Sequence, residues 1–168
     1  MSHDTLALVE SPAQLLHVLE WCHSEQAATT TRLAVLAPTD PATVAQLRSM
    51  AVFAAEEGIE AEWFAPRASA LAGVRTLVAL RREVATARRL VIGDPFSGII
   101  QALLPFAKSS EVVVVDDGTA TLEFASQVEH GTSLRRWDSA PGTGLLRAPL
   151  ARNARSFFAS GQLRLFTV

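Results

Sequence analysis

EVVVVDDGTATLEF, residues 111–124, sets four consecutive valines against two aspartates and a glycine. An unbroken β-branched run suits a strand covered on both faces, whereas a half-exposed strand alternates apolar with polar residues. Strands covered on both faces belong to parallel sheets flanked by helices. The acidic pair then marks the carboxyl end of such a strand, as a turn or as a site.

Outward from that run, short apolar stretches alternate with longer amphipathic ones. LALV (6–9) reads as the first strand, RLAVLAP (32–38) as the second, IEAEWF (59–64) as a third at the edge, RLVIG (89–93) as the fourth and EVVVV as the fifth. Between them lie helices. SPAQLLHVLEWCHSEQ opens with Ser11 as a cap, Pro12 in the first turn and Gln14 completing an S-x-x-Q capping box. PATVAQLRSMAVFAAEEG is stopped by Gly58, SALAGVRTLVALRREVATARR follows strand three, and IIQALLPFAKS is weakened by Pro105. Repeated strand-helix order implies parallel strands with right-handed crossovers. The expected architecture is therefore a doubly wound, Rossmann-like parallel sheet of five to six strands in three layers (α/β/α), forming a single domain over 1–168.

Composition narrows the function. The chain has 168 residues, 49% of them hydrophobic, and a net charge of -2. That balance does not favour general nucleic-acid binding, which needs a basic surface to displace counterions. From Glu129 onward, however, six arginines face two acids, a locally basic end able to meet solvent or an anionic ligand. No apolar run approaches the roughly 18 residues of a membrane span, and the start lacks a signal peptide, so a cytoplasmic location is expected, with peripheral membrane association left open. Cys22 is the single cysteine and reads as a buried helix residue. The four histidines show no metal spacing, and His17 and His23 fall on different helix faces. GxGxxG, GxxxxGK[ST] and GxSxG are all missing, which disfavours dinucleotide, P-loop and serine-hydrolase chemistry.

In doubly wound sheets, ligands bind beyond the carboxyl ends of the strands, near the point where strand order reverses. Three segments qualify: ESPAQ after strand one, GDPFSG after strand four and DDGTA after strand five. Ser11 and Gln14 read first as caps and second as ligand contacts. Gly93, Asp94 and Ser97 read as a turn with a serine cap, or as a polar binding edge. Asp116 and Asp117 point different ways, so one can accept a proton while the other, with Gly118 and Thr119, shapes the turn. APGTGLLRAP (140–149) reads as a loop, on the surface or over an acceptor.

Together, VESPAQLLHVLE, GDPFSGIIQALL and VVVVDDGTATLEF, in that order, resemble the bacterial sialyltransferases and polysialyltransferases of the two-domain GT-B type. SFFASGQLRLFTV resembles the strand leading to that family's second domain. The resemblance implies Asp116 as general base, with Asp117 as its partner in the motif, for a sugar hydroxyl attacking CMP-sialic acid or a similar nucleotide sugar, without a metal or other cofactor. The family's His-Pro pair has no counterpart here, since none of the four histidines precedes a proline. The chain is thus expected to be the amino-terminal, acceptor-side half of a longer protein, or a shortened relative that lost donor binding, in either case incomplete as a transferase by itself, with a carbohydrate acceptor and a carboxy-terminal domain as expected partners. Two other readings stay open: a non-catalytic carbohydrate-binding or interaction module on the same scaffold, and a nucleotide-binding regulatory domain.

Overall fold

A computed structural model describes residues 4–109, 111–116, 124, 126–130 and 163–167. Its six strands are β1 (Thr5–Val9), β2 (Thr31–Leu36), β3 (Glu60–Phe64), β4 (Arg89–Ile92), β5 (Glu111–Asp116) and β6 (Leu163–Thr167). All pair in parallel in the order β3-β2-β1-β4-β5-β6. Among the described residues, the helices on the faces include α1 (Pro12–Ser24), α2 (Pro41–Glu56), α3 (Ala70–Thr86) and α4 (Gly98–Leu103), and residues 124 and 126–129 are also helical. The doubly wound three-layer arrangement expected from the alternating runs is the one found.

The valine run shows why the sheet is covered on both sides. Successive side chains in a strand alternate between faces. Val112 and Val114 join Leu6, Leu8, Leu90 and Ile92 under Leu80, Val84, Ile100 and Leu103 of α3 and α4. Val113 and Val115 join Ala7, Val9, Leu33 and Val91 under Leu15, Val18, Trp21 and Leu47 of α1 and α2. Each of the four valines is at most 2% exposed. Burying each contributes about 1.5–3 kcal/mol, so a polar residue anywhere in the run would disrupt one layer.

Local signals set the helix boundaries. Ser11, Asp40 and Ser69 accept hydrogen bonds from the backbone N–H of Gln14, Thr43 and Ala72, capping α1, α2 and α3. The two hydrogen bonds from Thr43 hold the Asp40 carboxyl below the usual aspartate range. Gly58 follows α2 with φ of 84°, a left-handed position that glycine occupies without penalty. Pro105 shortens α4, and the chain continues as a 3-10 turn, Leu104–Phe106. Cys22 is buried as expected, donates to Thr31 Oγ1 at 3.6 Å, and has its thiol pKa pushed up by burial.

At the amino edge of the sheet, charged residues align across neighbouring strands. Arg89 Nε donates to Glu111 at 2.6 Å, and its guanidinium stacks 5.3 Å from the Trp21 ring. Arg164 on β6 binds Glu25 at 2.7 Å, so this member of the basic carboxy-terminal group meets an acid of its own chain.

Candidate functional site at the strand switch point

Strands β1, β2 and β3 run outward in one direction and β4, β5 and β6 in the other, so the order reverses between β1 and β4. There the loops at the two carboxyl ends diverge to helices on opposite faces and leave a crevice. Two of the three segments selected from sequence, ESPAQ and GDPFSG, meet at this point.

Glu10, immediately after β1, organises the meeting. Its Oε1 accepts a hydrogen bond from Ser97 Oγ at 2.7 Å and pairs with Arg67 Nη2 at 2.9 Å. The Glu10 side chain is only 10% exposed, whereas that of Arg67 is 39% exposed. A hydrogen bond to a buried charged acceptor contributes about 1.5–3 kcal/mol, while a half-exposed ion pair contributes about 1 kcal/mol or less. The serine contact therefore dominates, and the arginine adds orientation. Arg67 is itself held by Nη1 donating to the Leu36 carbonyl at 3.4 Å, which draws the β3–α3 loop over the end of β2.

Gln14 closes the other side. Its Oε1 accepts the backbone N–H of Glu10 at 2.7 Å, while its own N–H donates to Ser11 Oγ at 3.3 Å. This is the capping box expected from sequence, with the glutamine reaching one residue further back than usual. The glutamine lies directly over Gly93, where a Cβ would stand 2.6 Å from Gln14 Cγ, Cδ and Oε1. Gly93 thus makes room for Gln14.

Asp94 forms an Asx turn, accepting the Phe96 N–H at 2.8 Å, as the Gly-Asp-Pro signal suggests. Ser97 departs from expectation. It occupies the cap position of α4 but accepts no capping hydrogen bond, and its hydroxyl instead donates to the Glu10 carboxylate.

Of the third segment, Asp116 lies on the same edge. Leu8 pairs with Ile92 and Ile92 with Val114. Glu10 follows the end of β1, Asp94 lies two residues past the end of β4, and Asp116 is the last residue of β5, so the three acids share the carboxyl edge of adjacent strands. Asp116 ends β5 and pairs with Thr167 of β6. Asp117, Gly118 and Thr119, like the 140–149 loop, lie outside the described residues.

Glu10 and Arg67 were not singled out from sequence. A signal for Glu10 was present: it follows LALV as Asp116 follows VVVV, an acid directly after a buried strand. Arg67 carried no local signal. Among the described residues, no group of three or more His, Cys, Asp or Glu side chains is arranged to hold a metal. A groove of about 590 Å³ lined by Leu16, Leu19, Phe53 and Glu57 opens at the opposite, amino edge, away from these residues. Comparison with known proteins finds no matching family model, no matching curated protein and no matching solved structure.

Proposed function

We propose that this chain is the acceptor-side domain of a sialyltransferase-like glycosyltransferase, with Asp116 as general base. The observation that supports the reading is the position of Asp116 as the last residue of β5, two residues beyond the Val114 that pairs with Ile92 at the end of β4. In the proposed step, an acceptor sugar hydroxyl attacks the anomeric carbon of a CMP-activated sialic acid. The new C–O bond forms as the hydroxyl proton passes to the Asp116 carboxylate, and CMP leaves with the electron pair of the broken bond. Asp117 shapes the motif beside it. Ser11, Gln14, Gly93, Asp94 and Ser97 form the polar wall against which the acceptor is oriented, and a partner domain binds the nucleotide.

Replacing Asp116 with Asn in the full-length protein, assayed with CMP-sialic acid and an oligosaccharide acceptor, is expected to lower kcat by about 10²–10⁴-fold with an unchanged circular dichroism spectrum. An unchanged kcat would remove the base assignment. One observation favours a second reading, a non-catalytic carbohydrate-binding module: Glu10, Ser97, Arg67 and Gln14 satisfy one another. Under that reading the parent protein binds an oligosaccharide but shows no transfer.

A further inference from the structure

The outward face of α3 is the most distinctive surface of the chain. The helix buries Thr76, Leu80 and Val84 against the sheet. On the opposite side, Leu71, Val74 and Val78 stand at i, i+3 and i+7 and are 58%, 56% and 54% exposed. That spacing makes one continuous stripe along a helix. Arginines border it: Arg75 and Arg82 lie four residues beyond Leu71 and Val78, and Arg81 lies seven beyond Val74, all three exposed. The single acid of α3, Glu83, lies to the side and pairs with Arg32 at 3.2 Å. The 3-10 turn that packs against α3 adds Phe106, 44% exposed, followed by the exposed Lys108.

We propose that α3 is an interfacial helix that docks the domain on an anionic phospholipid bilayer. Charge complementarity selects this occupant: a chain of net charge -2 gathers three arginines around one helix face from which acids are excluded. The aliphatic stripe selects a bilayer over nucleic acid, because a phosphate backbone offers nothing for Leu71, Val74 and Val78 to enter. The face is a convex helix surface carrying aliphatic side chains and arginine, the pattern of helices lying in the headgroup plane. The stripe begins at Leu71, four residues after Arg67, so a docked α3 holds the carboxyl edge of the sheet beside the headgroups.

The test is flotation of the full chain with vesicles of phosphatidylcholine alone and of phosphatidylcholine with phosphatidylglycerol. Binding is expected to the anionic vesicles and to fall with added salt. Each arginine near such a surface contributes about a fivefold gain in partitioning, so joint replacement of Arg75, Arg81 and Arg82 by Gln should weaken it about 100-fold. Joint replacement of Leu71, Val74 and Val78 by Ser should weaken it comparably, with thermal melting checked for each variant. If a triple variant folds poorly, Arg82→Gln alone should still show the fivefold loss. Equal partitioning into both vesicle types, or triple variants that partition like the parent, overturns the proposal. Tight binding of duplex DNA or an acidic peptide without vesicle binding also overturns it.

Discussion

Gly93→Ala is a small change that tests how the switch-point crevice is built. Gly93 does not sit in the left-handed backbone region, so its substitution has no conformational penalty of that kind. The cost is steric. A new methyl would lie 2.6 Å from three atoms of the Gln14 side chain, which must swing away and release the Glu10 N–H. Losing that hydrogen bond costs about 1 kcal/mol, and crowding in the crevice adds about 1 kcal/mol more. The total of about 2 kcal/mol corresponds to a fall in Tm of about 4–8 °C for a domain of this size. In a Gln14→Ala background the methyl enters space that the glutamine has vacated, and Gly93→Ala should then cost less than about 0.5 kcal/mol. Urea unfolding of the parent, both single variants and the double variant measures the coupling, expected at about 1.5 kcal/mol. Equal costs for Gly93→Ala in the two backgrounds would refute the account of Gly93 as the seat of Gln14.

Other predictions concern the helices around the site. Asp40→Ala should destabilise the protein at neutral pH, because the lowered carboxyl pKa means that folding favours the ionised cap. That contribution is present above the unfolded aspartate pKa of about 3.9 and is lost as pH falls through the lower folded value, so parent and variant melts should converge in acid. Cys22 should react with a thiol reagent at neutral pH only as fast as the protein opens, since burial both shields the thiol and raises its pKa. A rapid native-state reaction would contradict that placement.

Much of the architecture was legible because its signals are local. VVVV announced a doubly covered strand, Ser11 and Gln14 announced a capping box, and Gly58 and Pro105 announced helix ends, all features that a few neighbouring residues decide. The Glu10 contacts depend instead on strand order. Ser97 lies 87 residues away, and it reaches Glu10 only because β4 pairs with β1. Arg67 arrives from a loop beyond β3, two strands removed from β1. Ser97 was expected to cap α4 because a serine before Gly98 has that geometry. Its orientation toward Glu10, set by the pairing of β1 with β4, is a tertiary fact that the local sequence does not carry. Asp116 was legible as a strand terminus, and the strand order that brings the ends of β1, β4 and β5 side by side became apparent only with the structure.

The single oxygen shared by Ser97 and Arg67 also bears on how this edge tolerates sequence change. Glu10 leads into α1 on one face of the sheet, whereas its two partners lie in loops leading to α4 and α3 on the other. Three otherwise independent loops are therefore knotted through one carboxylate, and their substitutions should be epistatic. A library that varies positions 10, 67 and 97 singly will score position 10 as the least tolerant, because its change strands two partners, whereas a change at 67 or 97 removes one of the two partners of Glu10. Joint libraries at these positions, in which an uncharged trio replaces the charged one at once, are where functional alternatives will be found.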